Sequence, residues 1–204
     1  MERVDVPFFF QLSDMNFKLF STCLLVLPLI ACTPHAGTED AIGRKVDELL
    51  GRMTLQEKIG QMNQVSPDGN MEEMAASIRE RKVGSFLNLT DPGLVNKVQE
   101  IAVKESRLGI PMLIARDVIH GYKTIFPIPL GQAATFNPQI VEEGARVAAV
   151  EASADGIRWT FAPMIDVSRD ARWGRMAESC GEDSYLNAVM GVAMVKGFQG
   201  DSLK

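Results

Sequence analysis

Residues 161–183, FAPMIDVSRDARWGRMAESCGED, set three arginines and five carboxylates around a single tryptophan, directly after an apolar, strand-like start. A guanidinium is a planar fork that holds carboxylates or vicinal acceptors in fixed geometry. Trp173 adds an apolar face suited to packing or to the C–H groups of a sugar. Two roles are open to this stretch. Arg169, Arg172 and Arg175 can pair with Asp166, Asp170, Glu178 and Glu182 and brace one loop, or some of them can grip a ligand. Three guanidiniums cannot all face one small molecule, so some bracing is expected, and the chemistry alone leaves the division open.

A second stretch, ARDVIHGYKTIFPIPLGQAATFNP (115–138), puts Asp117 and His120 where an apolar run ends in charge, ahead of Gly121 and a long loop with Pro127 and Pro129. A carboxylate there can accept hydrogen bonds from hydroxyl groups and an imidazole can donate one. The competing reading pairs Arg116 and Asp117 with neighbours and packs His120 at the loop base.

Other chemistries have little to work with. His35 and His120 are the only histidines, and no Cys/His spacing marks a metal site. No Gly-rich phosphate loop or dinucleotide fingerprint is present, so no cofactor is expected. Ser168 lies in VSRD, which is not a nucleophile elbow. A net charge of -5 without a basic run argues against a nucleic-acid partner. The methionines fall at helical spacing, Met71 with Met74 and Met190 with Met194, and read as core filler.

The elements that must position these residues follow in order. Helical spacing runs through AIGRKVDELLGRM (41–53), then TLQEKIGQM with Thr54 and Glu57 as a capping box, and MEEMAASIRERK (71–82). Asp91 with Pro92 and Asn137 with Pro138 open two more helices, and a last one covers SYLNAVMGVAMVKGFQG. Between them VGSFLNL, IPMLIARD and IRWTFAP read as strands. Strand and helix alternate three times, the order of a parallel α/β fold. In such folds ligands bind at the carboxyl ends of the strands, where Asp117 and the 161–183 stretch begin. Three strand–helix units suit either a small open α/β domain or the opening part of an α/β barrel, which takes about 250 residues when closed.

The N-terminal region differs. MNFKLFSTCLLVLPLIAC, from Met15, carries one lysine and an apolar run from Cys23 to Ala31, too short to span a bilayer but suited to a secretory signal. Residues 1–31 are expected to be a signal peptide, with translation starting at Met15 because Glu2, Asp5 and Asp14 make the preceding stretch acidic. LIAC (29–32) is similar to a bacterial lipobox that would leave Cys32 lipidated. Residues 32–40 then form a tether and 41–204 the folded part, with Cys180 its one thiol.

DVIHGYKTIFPIPLGQAATFNP together with FAPMIDVSRDARWGRMAESCGED closely resembles the N-terminal domain of glycoside hydrolase family 3, above all its exported bacterial β-glucosidases, from about Ala41 to Lys204. The resemblance implies a (β/α)₈-like barrel, here its N-terminal part with about three β/α units, followed in a complete enzyme by an α/β sandwich domain. It also implies retaining hydrolysis of terminal non-reducing β-D-glucosyl residues, with two carboxyl groups roughly 5 Å apart. In the family the nucleophilic Asp comes late in the barrel, the acid/base Glu from the second domain, and a sugar-binding Lys–His pair falls between the present motifs and that nucleophile. None of these matches a residue here, so no catalytic residue is assigned and residues 1–204 alone are expected to be inactive.

What does match is sugar-binding. Asp117 corresponds to the family's aspartate for the distal glucose hydroxyls, and Arg175 to its substrate-binding arginine, with Arg172 as rival. His120 and Glu178 are expected to support the site. The implied partner is a β-linked gluco-oligosaccharide or aryl β-glucoside; the membrane is reached only through the lipid, on a periplasmic or outer-membrane-anchored protein. A β-xylosidase and a non-catalytic sugar-binding lipoprotein are the alternatives.

Overall fold

The computed structural model describes residues 39–67 and 69–200. The chain divides into two compact units, 1–43 and 44–204. Of the first, only residues 39–43 are described, as the opening of helix α1 (Glu39–Arg52). Glu39 and Asp40, the end of the expected tether, are thus helical. The signal, the lipobox with Cys32 and the rest of the tether lie outside the described residues.

In the second unit four short parallel strands pair in sequence order: β1 (Gln64–Val65), β2 (Ser85–Leu87), β3 (Leu113–Arg116) and β4 (Trp159–Thr160). Gln64 lies beside Ser85, Phe86 beside Ile114, and Ala115 beside Trp159. Helices connect them: α2 (Leu55–Met62) precedes β1, α3 (Met71–Arg79) follows it, and α4 (Pro92–Glu105) follows β2. After β3 come α5 (Pro129–Ala133) and α6 (Pro138–Ala154), and after β4 comes α7 (Ser184–Gln199). Among the described residues there is therefore one strand more than the three legible in sequence. β1 is only two residues long, too short for any period to show. α5 likewise sits inside what reads as a long loop.

The helix starts follow their capping residues. Thr54 N donates to Glu57 Oε2 at 2.8 Å while Glu57 N donates to Thr54 Oγ1 at 3.2 Å, a complete capping box. Glu57 also receives Arg107, whose Nε donates to Oε1 at 2.9 Å, and this guanidinium followed by the Thr54 amide holds the Glu57 carboxyl down to about 2. Asp91 caps α4 by accepting from Leu94 N at 2.8 Å, and Asn137 caps α6 by accepting from Gln139 N at 3.1 Å.

Two apolar clusters hold these elements. One joins the sheet to α3 and α4 through the fully buried Ile78, Phe86, Val98 and Ile114. The other, with Val141, Met190 and Met194, lies between α6 and α7. These helices approach so closely that a Cβ at Gly197 would stand 2.3 Å from Glu142 O, which is why a glycine occupies that point of α7.

Candidate sugar-binding site

The strand ends are tied before the loops begin. The Thr160 hydroxyl, at the end of β4, accepts from Val118 N at 3.3 Å and from Ala162 N at 3.4 Å. That bond fixes the backbone beside Asp117 against the start of the 161–183 loop. Asp117 itself is exposed, and among the described residues its carboxylate makes no hydrogen bond.

The loop after β3 is anchored to α6. Lys123 N and Thr124 N donate to Glu151 Oε2 at 2.9 and 2.8 Å, and the Thr124 hydroxyl donates to Glu151 Oε1 at 2.6 Å. Tyr122 OH and Lys123 Nζ donate to the two oxygens of Asp155 at 2.8 and 2.9 Å. Arg116 stands 5.6 Å over the Tyr122 ring, a cation–π arrangement. Both carboxyls are held below their ordinary range: Glu151 first by the Thr124 hydroxyl, Asp155 first by Lys123 and then by Tyr122. Burial followed by the Asp155 bond pushes the Tyr122 phenol up.

His120 closes the base of this loop. Its Nδ1–H donates to Phe126 O at 2.9 Å, and Phe126 N donates back to His120 O at 2.8 Å. Because a carbonyl only accepts, Nδ1 carries the proton. Gly121 permits the turn: its φ is +118°, and a Cβ there would lie 2.0 Å from Thr124 O. His120 is half-buried at the loop base, its ring bonded to the Phe126 carbonyl.

In the loop after β4 the arginines divide. Arg172 binds Asp170 two residues away, Nε to Oδ1 at 2.9 Å and Nη2 to Oδ2 at 2.5 Å, with its side chain 91% exposed. Arg175 spans a single 3₁₀ turn (Met176–Glu178) to Glu178, Nη2 to Oε2 at 2.7 Å and Nε to Oε1 at 3.1 Å. Glu178 first by its bonds and then by its charge raises the Arg175 pKa, and the carboxylates of Asp166 and Asp117 raise it further. Arg175 in turn lowers Glu178. Arg175 and Glu178 thus form one bonded pair in the loop after β4, and the charges of Asp166 and, more weakly, Asp117 act on its arginine. Arg172 has no such link to Asp117.

Such charges can hold vicinal hydroxyls: carboxylate oxygens accept from them and guanidinium N–H groups donate to them. A cavity of about 600 Å³ lies elsewhere, between β4, α6 and α7, with Arg146, Arg158, Trp159 and Phe198 on its walls. It contains none of these charged residues, and the chemistry follows the charges rather than the volume.

A parallel α/β sheet with carboxylates and a guanidinium in the loops that follow its strands is a scaffold for small polar ligands. Residues 54–204 match the N-terminal domain of glycosyl hydrolase family 3, and the chain belongs to that family. It is 45% identical over 170 residues to a periplasmic β-glucosidase of Salmonella typhimurium, covering 82% of this chain and 22% of that protein. A putative β-xylosidase of Formosa agariphila is 33% identical over 182 residues, covering 78% of this chain and 24% of the other. Among solved structures, a mutant β-glucosidase of Listeria innocua in complex with laminaribiose superposes with a TM-score of 0.69 at 45% identity, covering 78% of this chain and 24% of that one. The chain therefore spans about a quarter or less of the length of these relatives. The fold is the expected one: the four strands correspond to part of the relatives' parallel α/β barrel domain.

Sequence reasoning did not find Thr160, Glu151, Asp155 or the buried pair Ser168 and Ser179. Glu151 sits on a helix and Asp155 just past its end, at polar positions that look merely solvated in sequence. The hydroxyls carry no spacing signal at all.

Proposed function

We propose that this chain supplies part of the glucose-binding wall of a retaining β-glucosidase-type glycoside hydrolase that removes terminal non-reducing β-D-glucosyl residues. In this reading Asp117 accepts hydrogen bonds from distal sugar hydroxyls and Arg175 donates to the same ring. His120 and Glu178 hold the two loops in register. The observation that carries it is membership of this family, with Asp117 exposed just after β3 and Arg175 braced by Glu178 in the loop after β4. The substrate class, a β-linked gluco-oligosaccharide or aryl β-glucoside, is supported by the relative solved with laminaribiose. A β-xylosidase is the second reading, favoured by the similar Formosa protein.

The test is turnover of paired aryl β-glucoside and β-xyloside by the protein produced from its own gene. The expected result is preference for the glucoside, with kcat/KM falling on the order of 1,000-fold in Asp117→Ala, since a site built to bond hydroxyls is left unpaired. An unchanged Asp117→Ala variant contradicts the reading, and a preference for the xyloside selects the alternative.

Export is supported by the periplasmic relative. Anchoring through Cys32 is part of the same proposal. Incorporation of labelled palmitate, abolished by Cys32→Ala, is expected; label retained in that variant excludes this anchor.

A further inference from the structure

Ser179 is fully buried and directly follows the turn that carries Arg175 and Glu178. A hydroxyl has one donor and two acceptor positions, and here all three are used. Ser179 Oγ donates to Met176 O at 3.1 Å, accepts from Ser168 Oγ at 2.5 Å, and accepts from Gly181 N at 3.2 Å. The bond to Met176 pins the inner side of the same turn whose outer side bears the Arg175–Glu178 pair.

The knot extends to the neck of the loop. Ser168 N donates to Gly181 O at 3.0 Å, and Asn187 Nδ2, on α7, donates to the same carbonyl at 2.9 Å. A continuous neutral path thus runs from α7 through Gly181, Ser168 and Ser179 to the backbone next to Arg175. Ser168 and Asn187 are buried as well, so water offers no substitute for a lost partner.

We propose that Ser179 is a positioning residue that acts on sugar binding through Arg175, an inference that rests on the sugar-binding role of Arg175 proposed above. Without the hydroxyl, Met176 O, Ser168 Oγ and Gly181 N each lose a partner, and the turn no longer fixes the position of the Arg175 guanidinium. Displacement of a binding group by about 1 Å is enough to cost substantial activity.

A double-mutant cycle tests this on kcat/KM for an aryl β-glucoside, again with the protein produced from its own gene. Ser179→Ala is expected to lower kcat/KM roughly tenfold in the wild-type background and less than about twofold in an Arg175→Ala background. A merely structural role gives the same loss in both backgrounds, and that additivity overturns the proposal, as does an unaffected Ser179→Ala when Arg175→Ala is impaired; both leave the sugar-site reading standing. An unaffected Arg175→Ala overturns the sugar-site reading and this inference together. Should Ser179→Ala fail to fold, Ser168→Ala replaces it in the cycle under the same criteria, since it removes only the hydroxyl bond to Ser179.

Discussion

The loop that follows β3 is held from outside, by Glu151 on α6 and Asp155 at its C-terminal cap, which together take five hydrogen bonds from Tyr122, Lys123 and Thr124. The loop that follows β4 is held mainly from within, by the hydroxyls of Ser168 and Ser179 and the Gly181 carbonyl. Each presents one candidate sugar-binding residue, Asp117 directly after β3 and Arg175 within the loop after β4. The difference is one of chemistry. The first anchor is ionic and half in water, so it responds to pH and salt. The Ser168–Ser179–Gly181 knot of the second is neutral and buried, so it does not itself titrate, although the Arg175–Glu178 pair in the same loop is ionic.

The largest expected effect that sharpens this comparison concerns the two rival arginines. Arg175→Ala is expected to lower kcat/KM roughly 10- to 100-fold, the range for a charge-assisted hydrogen bond. Arg172→Ala is expected to stay within about twofold, because its exposed pair with Asp170 contributes little. Equal losses in steady-state assays would break the division drawn between them.

A smaller effect is expected at the outer anchor. Glu151→Ala releases the amides of Lys123 and Thr124 and is expected to lower kcat/KM about tenfold, while Glu151→Gln keeps an acceptor oxygen and recovers most of it. Failure of the glutamine to rescue would show that charge, not the bond to the loop, matters there.

The smallest effect is a difference in pH response. Glu151 and Asp155 have folded pKa values below their ordinary 4.5 and 3.8. Their contribution is therefore full above those ordinary values and is lost as pH falls through the lowered ones. Hydrogen exchange followed on acidification should show the Lys123 and Thr124 amides losing protection before those of Ser168 and Gly181. Simultaneous loss would mean that the loops open as one unit.

Much of the scaffold was legible because local chemistry fixes it. Asp91 with Pro92, Asn137 with Pro138, and Thr54 with Glu57 mark helix starts by bonds made within three residues, and the structure has all three. β1 was not legible, because a two-residue strand is defined by its neighbour Ser85–Phe86 and not by its own pattern. The site divides along the same line. Asp117 and the arginines announce themselves by charge at the end of apolar runs. What distinguishes the surroundings of Arg172 and Arg175 needed three dimensions, since each has a carboxylate close in sequence, Asp170 for the first and Glu178 for the second. The anchors at Glu151 and Asp155 act across 27 to 33 residues, a separation at which sequence spacing carries no geometry.

The central claim is that Asp117 and Arg175 face the same sugar. A crystal structure of the protein produced from its own gene, with glucose bound, tests it most directly. The account predicts ring hydroxyls within hydrogen-bonding distance of both the Asp117 carboxylate and the Arg175 guanidinium, with Arg172 still on Asp170. Glucose bound away from both residues, for instance in the cavity between β4, α6 and α7, would contradict it.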